Sequence, residues 1–262
     1  HGLQDEADTW RRIFGTLSAR YRVIAPDLPG FGRSDKRPRG YGVPLYSGVV
    51  MALAAELGIP RFGLIGNSLG AITADAIAAQ YADRVSALVL LNGSLLITRP
   101  PASRLSLIQR LFLGYYDRKY FQALRDGPPE AVFETLRPYY ADLDALPSAD
   151  RTFLVERVVA RVWDEPQRLA ALTIQKGSLP YFLTAGRRLA ARIPSLPVPT
   201  LVVWGASDNI FPVANARPRA AAQPGARLEI LPGVGHLPQQ ELPDLLLRAL
   251  LPFLEAAVAP VG

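Results

Sequence analysis

The chain has 262 residues, 49% of them hydrophobic, with a formal charge of +6, no cysteine and two histidines. Missing thiols exclude disulfides and thiolate metal sites, and with only His1 and His236 a zinc centre would have to draw most of its ligands from carboxylates, so no metal or cofactor is expected. The excess charge is arginine, since Lys36, Lys119 and Lys176 are the only lysines, and arginines adjoin acids at Asp83-Arg84, Asp117-Arg118 and Glu156-Arg157 instead of forming one stripe, which argues against nucleic-acid binding.

In chain order, residues 21–26 predict a strand, 45–57 a helix, 62–65 a strand, 69–81 a helix and 87–91 a strand. This alternation is the pattern of a parallel sheet covered by helices on both faces. From about residue 98 to 192 it gives way to helical sequence, broken at Pro100-Pro101, Gly127-Pro128-Pro129, Pro147 and Gly177. Strand patterns return at 200–204 and 228–231, before a last helix at 243–257. The expected organisation is an α/β core at residues 1–94 and 196–262 with a helical insert at 95–195. No apolar run reaches the ~18 residues of a membrane span, so a soluble, cytoplasmic protein is expected, its oligomeric state open.

Gly66-Asn67-Ser68-Leu69-Gly70 follows the strand run 62–65 and precedes an alanine-rich helix. A serine flanked by glycines at a strand-to-helix turn is held out at the sheet edge above a helix N-terminus, in a backbone conformation that leaves no room for neighbouring side chains. Its hydroxyl becomes a nucleophile only if a base takes its proton, normally a histidine oriented by a carboxylate. His236 lies in the loop after the strand pattern at 228–231, and Asp208 follows the one at 200–204; in a parallel sheet all three leave the same edge. Ser68 as a helix cap and Asp208 as a turn-shaping residue are the competing roles. Asp27 and Asp35 read as loop-shaping acids, and Gly30-Phe31-Gly32 lacks the third glycine and the helix opening of a dinucleotide site.

With the order Ser68, Asp208, His236, the sequence resembles the α/β-hydrolase family, in particular its branch with a helical cap, which includes esterases, epoxide hydrolases, haloalkane dehalogenases and carbon–carbon bond hydrolases. His1-Gly2 followed by Trp10 is similar to the family's oxyanion segment, and residues 23–34, with Asp27-Leu28-Pro29-Gly30-Phe31-Gly32, to its next strand and loop. The resemblance implies an oxyanion hole from the backbone N–H groups of Leu3 and Leu69, and a strut role for His1. It also implies further residues before His1 that supply the first strands, a central one among them. Without that strand, residues 1–262 expressed alone would be insoluble or inactive.

The nucleophile separates the branches. Epoxide hydrolases and dehalogenases of the family carry an aspartate at the elbow, whereas Ser68 would form an ether that water cannot release. Serine suits ester or thioester hydrolysis, and also carbon–carbon hydrolysis of a ring-cleavage diketone, for which some enzymes carry a similar Gly-Asn-Ser elbow, although His1-Gly2-Leu3-Gln4-Asp5 lacks the extra glycine and proline those enzymes tend to show. Some relatives place the acid after the strand before the cap; here that position reads Asn92-Gly93-Ser94, which leaves Asp208. The expected function is cofactor-free hydrolysis of a small apolar ester, with carbon–carbon hydrolysis or a slow-turnover receptor as alternatives. Tyr115-Tyr116, Tyr120-Phe121, Tyr139-Tyr140, Tyr181-Phe182 and Trp163 in the insert line either its own core or an apolar pocket, the former weighing more.

Overall fold

A computed structural model describes residues 1–37, 40–99, 122 and 124–258. The strands β1 (Phe62–Asn67), β2 (Val85–Leu91), β3 (Thr200–Gly205) and β4 (Arg227–Leu231) pair in that order, every pair parallel. The helices whose bounds are described include α1 (Arg11–Ser18), α2 (Val43–Glu56), α3 (Leu69–Gln80), α4 (Pro129–Glu134), α5 (Ser148–Trp163), α6 (Glu165–Tyr181), α7 (Arg187–Ala190), α8 (Ala216–Ala221), α9 (Pro238–Glu241) and α10 (Pro243–Ala257). The helices α4 to α7 lie between β2 and β3, in the stretch expected to form the insert. The chain has the architecture that the alternation predicts, a parallel sheet flanked by helices.

Alternation along the strands builds the two faces. Leu88, Leu90, Val202 and Trp204 point into a core with Ile72 and Ile77 of α3, while Ala87, Val89, Leu91, Leu201 and Val203 point into another with Ile13 and Leu17 of α1 and Leu246, Leu250 and Phe253 of α10. These are the period of two in strands and the i, i+4 stripe in helices. α3 is buried over nearly its whole length, and its small residues Ala71, Ala74, Ala76 and Ala78 let it lie close beneath its neighbours. The register pairs Asn67 with Leu91, Leu91 with Val203 and Gly205 with Leu231, so the C-terminal ends of all four strands form one edge.

Two local expectations are corrected. Residues 21–26 form no strand: a strand exists only through ladder partners, and no strand lies beside this run among the described residues, where Ile24 is 41% exposed. Gly177 does not break its helix, because α6 runs through it to Tyr181. One glycine in a helix costs only about 1 kcal/mol, and the irregularity comes after Pro180 instead, as a π turn over Phe182–Gly186.

Asp27 shapes its loop as expected. It accepts hydrogen bonds from the N–H groups of Ala7 (2.6 Å) and Arg33 (2.9 Å) and from the Arg33 guanidinium (3.0 Å). Asp35 instead contributes its carbonyl, to the Gly30 N–H. Burial alone would push the Asp27 carboxyl up, but these donors outweigh it and hold the group below the ordinary carboxylate value. A carboxylate depressed in the folded state stabilises above its unfolded pKa and loses that contribution as pH falls through the folded value. Thermal melts of the parent and Asp27→Asn should therefore differ most near neutral pH and converge below about pH 4.

Candidate active site

The edge of the sheet assembles the site. Ser68 follows β1 directly with φ 53° and ψ −113°, a conformation that side-chain-bearing residues rarely adopt and that costs about 1–3 kcal/mol. Glycine is needed on both sides. A Cβ on Gly66 would lie 2.3 Å from the Gly70 carbonyl oxygen, and one on Gly70 would lie 2.8 Å from that of His1. The turn is held to the neighbouring strand by the Ser68 N–H, which donates to the Leu91 carbonyl (2.9 Å).

Asp208 leaves β3 and meets His236, which follows β4, with the His236 Nδ1 to Asp208 Oδ2 distance at 2.9 Å. Both side chains are almost fully buried. Asp208 Oδ1 accepts from the N–H groups of Ile210 (2.8 Å) and Phe211 (2.9 Å), so this acid shapes its own turn and orients the imidazole with its two oxygens separately. Oδ2 also accepts from the Asn92 amide at 2.7 Å, which brings all four acceptor positions of the carboxylate into use. Since the carboxylate can only accept, Nδ1 carries the proton and Nε2 is left as the free base. The rings of Phe211 and Tyr139 stand 5.8 and 6.1 Å from the imidazole.

Ser68 Oγ makes no hydrogen bond among the described residues, so the serine-to-imidazole link is open while the imidazole-to-carboxylate link is closed. The two halves are nevertheless tied together. The Asn67 amide, next to Ser68, donates to the His236 carbonyl (3.0 Å) and to that of Leu91 (3.3 Å), and the Asn92 amide reaches the Gly235 carbonyl (3.2 Å). A serine-to-base hydrogen bond is often long without substrate and tightens when substrate is in place.

The Gly2-Leu3 segment packs against the serine, for a methyl built on Gly2 would lie 3.4 Å from Ser68 Cβ. His1 holds that segment from behind. Its Nδ1 bonds the Gly2 carbonyl (2.9 Å), its Nε2 accepts from the Leu28 N–H (2.8 Å), and its ring meets the edge of Phe31. Leu69 opens α3, where the first N–H groups have no intrahelical acceptor. Neither its N–H nor that of Leu3 has a hydrogen-bond partner among the described residues. Two free donors beside a strained serine can stabilise an oxyanion.

Three residues here were not legible as site residues. In the sequence Asn92 stands out only as the position where another acid could sit, and Asn67 only as part of the Gly-Asn-Ser elbow. Glu241 belongs to no motif. Its carboxylate accepts from the N–H groups on both sides of His236, Gly235 (2.9 Å) and Leu237 (3.2 Å), and from Ala141 in the insert (2.7 Å). Burial pushes its carboxyl above the ordinary value although three N–H groups pull the other way. A glutamate five residues after the histidine, in the short helix α9, is the only sequence signal for it. Glu241→Gln turns an amide NH2 towards N–H donors and loosens the histidine loop, so kcat should fall about tenfold with KM little changed, as read from steady-state kinetics.

Among the aromatic residues of the insert, Tyr140 is buried with its hydroxyl donating to Gln240 Oε1 (2.7 Å), and Tyr181 and Phe182 pack edge to face with each other and lie against the main core. Tyr140, Tyr181 and Phe182 thus build core, while Tyr139 also faces the imidazole. Tyr115-Tyr116 and Tyr120-Phe121 lie outside the described residues, as does the side chain of Trp163. Among the described residues no three His, Asp or Glu side chains could together hold a metal ion, and no helix is long and apolar enough to cross a membrane.

Comparison with known proteins gives a consistent picture. The sequence profile of the alpha/beta hydrolase fold matches residues 1–241. An uncharacterised Mycobacterium tuberculosis protein is 28% identical over 93% of this chain and 70% of its own length. The 2-hydroxy-6-oxononadienedioate/2-hydroxy-6-oxononatrienedioate hydrolase of Comamonas testosteroni is 27% identical over 97% of this chain and 85% of its own. Among solved structures, a thermophilic esterase from Thermogutta terrifontis superposes with a TM-score of 0.72 at 25% identity, covering 98% of this chain and 88% of that one.

Proposed function

The chain belongs to the alpha/beta-hydrolase family, a hydrolase fold, and on that footing we propose that it is a cofactor-free serine hydrolase acting on a small apolar carboxylic ester. The observation that carries the reading is the 2.9 Å contact of His236 with Asp208 on the sheet edge that also presents Ser68. In this reading Ser68 Oγ attacks the ester carbonyl as His236 Nε2 takes its proton, and Asp208 holds the imidazole and balances its charge. The N–H groups of Leu3 and Leu69 receive the oxyanion, each contributing about 3 kcal/mol to lowering the barrier. The alcohol leaves with the proton from His236, and water, deprotonated by the same nitrogen, releases the acid from Ser68. Residues 95–195 form the cap over the substrate, and Tyr139, whose carbonyl accepts from the His236 N–H at 2.8 Å, is its nearest described contact with the base.

A second reading, carbon–carbon hydrolysis of a ring-cleavage diketone, is favoured by the name of the Comamonas relative. The same serine and base serve it, with a carbanion instead of an alkoxide as the leaving group.

The test is a series of p-nitrophenyl esters of graded acyl length and one ring-cleavage diketone, assayed on the purified protein. Steady turnover of the short esters, with an acyl adduct on the Ser68 peptide by mass spectrometry, is the expected result. Turnover of the diketone alone would replace ester hydrolysis by the second reading. One equivalent of product followed by arrest would indicate a receptor that retains the fold.

A further inference from the structure

The outward face of α6 and the π turn after it has a composition that the fold does not use. Inward, Ala170, Ala171, Ile174, Tyr181 and Phe182 pack into the main core. Outward, Leu179 and Leu183 are 57% and 66% exposed, one turn apart, and Leu169 is 54% exposed two turns before Lys176. Exposed single leucines are ordinary; a row of them on a firmly packed helix is not. Exposed Lys176, Arg187 and Arg188 flank the row. From Glu165 to Asp208 the chain contains no acid at all, while Arg168, Lys176, Arg187, Arg188 and Arg192 fall within that stretch.

We propose that this ridge docks the protein on a bilayer surface carrying anionic headgroups, with Leu179 and Leu183 entering the boundary of the acyl chains and Lys176, Arg187 and Arg188 meeting the phosphates. An apolar row between cations matches the two layers such a surface presents in sequence, and neither signal alone holds a protein there. A second copy of the chain fits poorly, because a two-fold contact would set these cations against their own images with no acid between them. The proposal does not depend on which bond the site cleaves.

The test is co-sedimentation with vesicles of phosphatidylcholine and with vesicles of equal parts phosphatidylcholine and phosphatidylglycerol. The parent should pellet with the second and not the first, and raised salt should release it. The double variants Leu179→Ser/Leu183→Ser and Arg187→Glu/Arg188→Glu should each weaken binding at least about tenfold, with thermal midpoints within a few degrees of the parent as the folding control. Failure to bind, equal binding to neutral vesicles, or undiminished binding by either double variant would overturn the proposal. So would an oligomer in sedimentation velocity that the leucine variant dissolves, which would make a second copy the occupant.

Discussion

Replacing Ser68 by alanine is expected to lower kcat on an activated ester by about 10⁵- to 10⁶-fold while leaving the fold intact. The proposed reaction needs an oxygen nucleophile where the imidazole and the N–H groups of Leu3 and Leu69 would act on the same carbonyl, and alanine removes only that oxygen. Because the machinery acts as a unit, Ser68→Ala/His236→Ala should be no slower than the single variant. Asp208→Asn should lose about 10⁴-fold: its carbonyl oxygen can still accept from Ile210 and Phe211, but its NH2 would face His236 Nδ1 and favour the wrong tautomer. Stability provides a second readout. Ser68→Gly relieves the backbone at φ 53° and should raise the unfolding free energy by about 1 kcal/mol while abolishing turnover, the signature of strain retained for function. Activity of Ser68→Ala within about a hundredfold of the parent would remove this serine from the reaction.

What could be read from the residues follows from the range of the forces involved. The elbow is legible because its demands are local: Gly66 and Gly70 are required by atoms a few residues away or by the His1 backbone that crosses them. Strands β2 and β3 are legible because burial on both faces requires continuous apolar runs. Residues 21–26 have the same local pattern, yet local pattern supplies no ladder partner, and this is why they mislead. Asp208 is a different case. Its Oδ1 shapes a turn while its Oδ2 contacts the imidazole, and only coordinates can show that both contacts fall to the same group. Asn92 and Glu241 act through hydrogen bonds to atoms distant in sequence or to main-chain groups, which leave little trace in residue identity.

The second large effect lies in the buried pair Asp75 and Arg219, both wholly inaccessible. Asp75 on α3 receives the Arg219 guanidinium through both oxygens (2.8 and 3.0 Å), and also the Ser94 hydroxyl (3.2 Å) and the Leu95 N–H (3.0 Å). Arg219 on α8 in turn donates to Gln223 Oε1, and Gln223 Nε2 donates to the carbonyls of Leu196 and Val198. One network therefore holds the chain where it leaves the sheet after β2 and where it returns before β3, the two ends of the insert. Asp75→Ala leaves a buried guanidinium without its countercharge and two further donors without an acceptor. It should cost about 3–5 kcal/mol, read as the loss of unfolding free energy in urea. The obvious alternative is that the pair matters only through volume. Asp75→Leu/Arg219→Met distinguishes the two: if stranded charge is the cause, removing both partners restores most of the loss, whereas a volume effect would make the double variant at least as unstable as the single one. A cost below about 1 kcal/mol for Asp75→Ala would show that water reaches the guanidinium and that the network does not anchor the insert.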